Sequence, residues 1–83
     1  MKSREDILQH VVGLIADMFE LDSNVLTEEA QLYDDLDIDS IDAVDLIVEL
    51  KNYTGKKISP DDFKNVRTIG DIVTAVEQLL ADD

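Results

Sequence analysis

The residue with the clearest chemical potential is Ser40, which lies in the run Leu36-Asp37-Ile38-Asp39-Ser40-Ile41-Asp42 just before a predicted amphipathic helix. A nucleophilic serine needs a base within hydrogen-bond reach and a third group that orients the base. No Lys or Arg lies between Glu5 and Leu50, and the single histidine, His10, lies among apolar residues of another predicted helix. A Ser-His-Asp triad is therefore disfavoured. Ser40 is better suited to carry an attached group, although serine is also an ordinary helix N-cap.

The acids around Ser40 raise calcium binding as a rival interpretation. Asp35, Asp37 and Asp39 imitate the start of an EF-hand loop, but position six is then Ser40 instead of glycine. Position twelve is Leu46 instead of a bidentate Glu. There is no glycine-rich phosphate loop and no Cys/His metal spacing, so no metal site is predicted. Weak, nonspecific divalent binding to the acids stays open.

Composition narrows the class of protein. The 83 residues predict a single domain, 1–83. Seven basic and 20 acidic residues give a net charge of −13, which repels nucleic acid and attracts basic protein surfaces. The 45% hydrophobic content argues against disorder, and the absence of cysteine means that any thiol must be attached. No apolar run could span a bilayer and no signal peptide is recognised, so we expect a cytoplasmic protein that is not membrane-embedded. We also expect it to be a monomer.

Apolar periodicity and capping residues predict four helices. The predicted ranges are about 4–19 with Ser3 as N-cap, about 40–53 ending before Gly55, a short helix starting at Pro60 after a Ser59 cap, and about 69–80 capped by Thr68. Asp6 lies three residues after Ser3, and Asp71 lies three residues after Thr68, so each acid completes a capping-box pattern.

The connection 21–39 is long for so small a domain and shows no strand alternation. We expect it to pack over the core through its apolar residues, which are Val25, Leu26, Leu32, Leu36 and Ile38. The predicted fold is all-α, a small four-helix bundle with three main helices, one short helix and a long first loop.

The predicted second helix has two apolar faces. At about 100° per residue, Ala43, Leu46, Ile47 and Leu50 share one sector, whereas Ile41, Val44 and Val48 share a separate one. Between them runs a single acidic stripe of Asp42, Asp45 and Glu49. Either the helix is buried on both sides, or the smaller face is a docking surface whose acids steer a basic partner.

The run 36–50 resembles the Asp-Ser-Leu attachment motif and following acidic helix of acyl carrier proteins, and the likeness continues through 58–62 and 66–73. The resemblance implies an acyl-carrier-protein-like fold and a noncatalytic carrier. A phosphopantetheinyl transferase would attach 4′-phosphopantetheine from coenzyme A to Ser40, with Asp39 helping that enzyme to recognise the site. The arm would then hold acyl groups as thioesters.

The resemblance also implies partner and cargo contacts. Asp42, Asp45 and Glu49 would dock onto basic-surfaced synthases, reductases and acyltransferases, with Ile41, Val44 and Val48 as apolar contacts. The bundle interior would shelter the acyl chain beside Phe19, Leu46, Ile47 and Val73. Fatty acid biosynthesis is the expected pathway. Polyketide, nonribosomal peptide or special-lipid synthesis is the alternative, and an unmodified acidic module that binds calcium or a basic partner is the second.

The sequence departs from the family pattern at several positions. Asp37 stands where many members have glycine, Ile41 replaces leucine, and Asp45 replaces a frequent glutamate. Thr54 stands where an aromatic residue is frequent, next to Tyr53. Positive charge enters a commonly acidic segment at three further positions, Lys51, Lys56 and Lys57. None of these departures affects attachment at Ser40.

Overall fold

The computed structural model describes residues 3–58, 60–63 and 65–81, in which three α-helices and two short 3₁₀ helices are found. The α-helices are α1, Arg4–Phe19; α2, Ser40–Thr54; and α3, Ile69–Ala81, and the 3₁₀ helices are Ser23–Val25 and Pro60–Phe63. α1 and α2 both pack against α3. The all-α prediction is confirmed, with α2 and α3 each one residue longer than expected. The 3₁₀ helix at 23–25 was not predicted, and the predicted Ser59 cap lies outside the described residues.

A capping box starts α1 as the sequence predicts. The Asp6 amide donates to Ser3 Oγ at 3.2 Å, and the Ser3 amide donates to Asp6 Oδ2 at 3.4 Å. These bonds satisfy two groups that the helix itself leaves without partners. The helix ends at Glu20, whose φ of 55° is the left-handed conformation that commonly stops helices.

A second reciprocal cap starts α3. The Asp71 amide donates to Thr68 Oγ1 at 3.1 Å, and Asp71 Oδ2 accepts from the amides of Arg67 at 3.1 Å and Thr68 at 3.2 Å. The backbone hydrogen bond from Arg67, reinforced by those from Thr68, lowers the pKa of Asp71 below its usual 3.8. The predicted capping pair is therefore present, and its carboxylate is stabilised as an anion.

One hydrophobic core joins the three α-helices. Each of its fully buried aliphatic side chains stabilises the fold by about 1.5–3 kcal/mol relative to exposure. The buried helical members are Ile7, Val11 and Ile15 of α1, Leu46, Ile47 and Leu50 of α2, and Ile69, Ile72, Val73 and Val76 of α3. The core face predicted for α2, which includes Leu46, Ile47 and Leu50, is thus one of the faces that meet.

The first crossover, 21–39, closes one side of this core. Leu26, Leu32, Leu36 and Ile38 are buried, as predicted. Val25 is 54% exposed, so its predicted burial is wrong. Val25 ends the unforeseen 3₁₀ helix, and the neighbouring Leu26 takes the core position instead.

Backbone hydrogen bonds fasten this crossover to the start of α3. The Leu32 amide donates to the Arg67 carbonyl at 2.8 Å, and the Gly70 amide donates to the Glu28 carbonyl at 2.9 Å. A Cβ at Gly70 would lie only 3.1 Å from that Glu28 oxygen, so glycine permits the approach. The crossover therefore has a fixed path toward α2.

Arg4 adds a side-chain link among the same elements. Its guanidinium donates to Glu28 Oε1 at 2.5 Å, to Thr74 Oγ1 at 3.1 Å and to Glu77 Oε1. The hydrogen bond to Glu28, followed by that to Glu77, raises the pKa of Arg4. One cation thus connects α1, the first crossover and α3.

Candidate functional site

Ser40 is the first residue of α2 and is exposed, but it does not cap the helix. Asp39 is the N-cap, with extended backbone at φ −91° and ψ 178°. Asp39 Oδ1 accepts from the Asp42 amide at 2.9 Å, and its carbonyl accepts from the Ala43 amide at 3.0 Å. The capping role that a serine can take at such a position therefore belongs to Asp39.

This division of roles leaves the Ser40 hydroxyl available. Within the described part of the chain, Ser40 Oγ makes no hydrogen bond. The positive end of the α2 dipole lies at the same place, where negative charge such as a phosphodiester is favoured. An exposed, unengaged hydroxyl at a helix N-terminus can therefore accept a bulky anionic substituent without losing a structural contact.

The residues before Ser40 fix its exit from the core. Ile38 is buried at 2% exposure, and its amide donates to the Leu32 carbonyl at 2.9 Å. Asp37 adopts the left-handed conformation with φ 55°, which favours glycine and tolerates aspartate. A glycine, which the resemblance predicts at this position, would adopt the same conformation without strain. Beyond the Ile38 anchor, Asp39 and Ser40 emerge to solvent.

The two apolar faces of α2 differ in burial, since one lies in the core and the other is exposed to solvent. Leu46 and Leu50 are fully buried and Ile47 is nearly so, which confirms the core face. The other face remains in solvent, with Ile41 74%, Val44 47% and Val48 50% exposed. The alternative in which α2 is buried on both sides is wrong. We call these three exposed residues the apolar strip.

An acidic flank borders the apolar strip. Asp45 and Glu49 are exposed and Asp42 is half-buried. Within the described part of the chain, none of these three acids forms an ion pair. The helix therefore offers solvent an apolar surface with negative charge along one side.

The predicted cargo residues lie in or beside the core. Leu46, Ile47 and Val73 are buried, and Phe19 is half-buried against the same cluster. A separate surface cavity of about 260 Å³ is lined by Gln31, Tyr33, Asp34, Val66 and Arg67. It contains none of the four, and their contact with an acyl chain stays a prediction.

Two of the three aspartates that imitate an EF-hand loop accept hydrogen bonds from nearby backbone amides. Asp35 Oδ2 accepts from the Gln31 amide at 2.9 Å, while Asp39 caps α2. In residues 3–58, 60–63 and 65–81, no group of three or more His, Cys, Asp or Glu side chains is arranged to hold a metal ion. These contacts give the acids a structural role in the turn before α2.

His10 is exposed and its ring stacks on Tyr53, at 3.6 Å between centroids and 12° between planes. This contact links α1 to the end of α2. No sequence pattern predicts this stacking, because it depends on how the two helices are placed. None of the helices in the described residues has the length and apolar character needed to cross a membrane.

Comparison with known proteins identifies relatives over most of the chain. Residues 9–76 match a family model described as a phosphopantetheine attachment site. The sequence is 46% identical over 76 residues to acyl carrier protein 2 of Ralstonia nicotianae, covering 92% of this chain and 94% of that protein. It is 40% identical over 80 residues to the acyl carrier protein of Thermotoga maritima, covering 96% and 99%.

The fold comparison agrees with the sequence comparison. A solved acyl carrier protein from Enterococcus faecalis superposes with a TM-score of 0.72 at 29% identity. The match covers 99% of this chain and 100% of that chain. The bundle with its long first crossover is thus shared with a solved carrier protein.

Proposed function

The chain belongs to the acyl carrier protein family, whose phosphopantetheine attachment site it contains, and on that premise we propose that Ser40 is the attached residue. In this proposal a phosphopantetheinyl transferase joins Ser40 Oγ to the phosphorus of the 4′-phosphopantetheine group of coenzyme A. The pyrophosphate bond of coenzyme A breaks, and adenosine 3′,5′-bisphosphate leaves. The chain itself is noncatalytic. It carries acyl intermediates and presents them to successive enzymes, with residues 1–83 acting as one carrier domain.

The observation that carries the proposal is the unengaged hydroxyl of Ser40. Asp39 satisfies the first turn of α2, so modification of Ser40 leaves the cap intact. No internal base is needed, because the transferase provides the base that accepts the serine proton. The exposed position gives that enzyme access.

The residues around Ser40 fit the group. When bound, the arm supplies a terminal thiol that holds acyl groups as thioesters, which a chain without cysteine lacks. The N-terminus of α2 favours the negative phosphodiester. Asp39 holds the helix start in place and, in this proposal, contributes to recognition by the transferase.

We assign partner docking to the exposed side of α2. The apolar strip would be buried against a partner, while Asp42, Asp45 and Glu49 would attract its basic residues. Apolar contact supplies affinity, and charge complementarity speeds encounter and excludes wrong partners. The partners are synthases, reductases and acyltransferases with basic docking surfaces.

Cargo shelter and pathway complete the proposal. An acyl chain would enter beside Phe19 and contact Leu46, Ile47 and Val73, since these apolar residues offer the contacts that a hydrocarbon chain needs.

The pathway we propose is fatty acid biosynthesis in the cytoplasm, with the protein acting as a monomer. The family name shared by the relatives supports this context.

The test is intact-mass measurement after incubation of the chain with coenzyme A, Mg²⁺ and a phosphopantetheinyl transferase. We expect the mass of one phosphopantetheine to be added to the wild type and none to Ser40→Ala. Ser23→Ala is the matched control, since Ser23 is another exposed serine at the start of a helical turn. It should be modified as fully as the wild type.

Two outcomes would contradict the proposal. One is the absence of any mass addition with several transferases of different specificity. The other is addition that persists in Ser40→Ala. Calcium titration followed by calorimetry tests the unmodified calcium-binding module, which tight stoichiometric binding would favour instead.

A further inference from the structure

The apolar strip of α2 has charges of opposite sign on its two sides. At about 100° per residue from Ile41, Asp45 lies near 40° and Glu49 near 80°, whereas Lys51 lies near 280°. Val44 lies near 300°, so Lys51 borders the strip on the side away from the acids. Both flanks are exposed.

A second exposed lysine follows the end of the helix. Gly55, with φ 69°, is the C-cap of α2, and Lys57 follows two residues later and is exposed. Among the described residues, neither Lys51 nor Lys57 forms an ion pair. Attraction to the helix dipole accounts for a cation at Lys51, in the last turn, but not at Lys57 beyond it.

We propose that Lys51 and Lys57 select partner enzymes whose docking face combines a basic patch with an acidic patch. The basic patch would face Asp42, Asp45 and Glu49, and the acidic patch would face the two lysines, with the apolar strip between them. This inference rests on the proposed carrier function and adds a second, oppositely charged contact to it.

The two lysines would select partners by electrostatic repulsion. A docking face that is basic throughout would meet the acids favourably and the lysines unfavourably, since like charges in contact oppose binding. Charges of opposite sign on the two sides of the strip also define a single orientation of the partner on α2. The two lysines would therefore reduce reaction with uniformly basic enzymes and fix the register of the correct one.

The test uses the phosphopantetheine-loaded protein and an acyl-processing enzyme chosen because its docking face carries only basic residues. The variant Lys51→Gln/Lys57→Gln removes both cations. We expect kcat/KM with this enzyme to rise about fivefold at low salt, because each exposed charge contact changes binding by a small factor. The rise should shrink toward one at high salt.

A matched control separates local from overall charge. Gln9→Glu/Gln78→Glu changes the formal net charge by the same two units, from −13 to −15, at exposed positions on α1 and α3. We expect less than a twofold change from this control. An equal rise in both double variants would overturn the proposal, as would no change or a fall in Lys51→Gln/Lys57→Gln.

Two further measurements complete the design. Light scattering tests whether the lysines instead hold a second copy against the acids, and a wild-type dimer lost in Lys51→Gln/Lys57→Gln would overturn the proposal. Intact mass shows that every variant is loaded at Ser40. Failure to load the wild type would sink the carrier function itself, whereas loaded variants with equal kinetics would sink only the role of the lysines.

Discussion

α3 turns its large apolar side chains toward the core, whereas α2 leaves three of its own in solvent. On α3, Ile72, Val73 and Val76 are fully buried, and no large apolar residue of its described length is exposed. On α2, Ile41 is 74% exposed beside an acidic flank. Both helices have caps and regular periods, so the difference lies in what each face is for. α3 stabilises the bundle, and the outer face of α2 is available to other molecules.

The largest expected effect separates these two uses of an isoleucine. Ile72→Ala should reduce the free energy of unfolding by about 2–5 kcal/mol, since it removes fully buried methyl groups and leaves a cavity. Ile41→Ala should change it by less than about 0.5 kcal/mol because that side chain is already in water. Urea denaturation followed by circular dichroism measures both. Similar losses in the two variants would remove the distinction between the helices.

The helix starts should differ by a smaller amount. Thr68→Ala should lower the free energy of unfolding by about 1 kcal/mol, because Thr68 Oγ1 accepts from the Asp71 amide at the start of α3. Ser40→Ala should be nearly neutral, since Asp39 caps α2. Urea denaturation measures both free energies of unfolding. A loss of stability in Ser40→Ala as large as that in Thr68→Ala would mean that the serine has a structural role.

Much of this contrast was predictable from the sequence. A 3.6-residue period identifies which residues of α2 share a face. Two apolar sectors on one helix fitted either burial on both sides or an exposed docking face, and the exposures of Ile41, Val44 and Val48 decide between them. The capping pairs at Ser3 and Thr68 were predictable for a similar reason, since each bond joins residues three apart. The proposal that Ser40 is the attachment site came from resemblance, because spacing alone allowed this serine to be a cap.

The remaining features depend on the path of the chain and on tertiary contacts, which local sequence patterns do not predict. Asp39 and Ser40 are both good N-caps, and only the path of the chain decides which takes the position. Val25 and Leu26 are adjacent apolar residues, and the 3₁₀ turn decides which is buried. The fastening of Leu32 to Arg67 is long-range in sequence and has no periodic signature.

A pair of exposed valines sharpens the comparison from the functional side. Val44→Ala should raise KM for the phosphopantetheinyl transferase by about threefold, because part of an apolar contact with the enzyme is lost. Val25→Ala is the matched control, as Val25 is 54% exposed and Val44 47%, but Val25 lies off α2. We expect its KM to stay within error of the wild type. Equal effects would show that the strip has no special part in docking.

The smallest effect concerns the charge at the start of α3. Hydrogen bonds from Arg67 and Thr68 lower the pKa of Asp71 below 3.8, so the folded state favours the carboxylate more than the unfolded state does. The resulting stability is present above the unfolded pKa and is lost as the pH falls through the folded one, below about pH 4. Asp71→Asn removes this dependence while keeping an acceptor oxygen. The stability difference between wild type and variant, measured by urea denaturation, should therefore be present at neutral pH and diminish on acidification below pH 4. A difference that stays constant over that range would mean that Asp71 acts through the geometry of its hydrogen bonds rather than its charge.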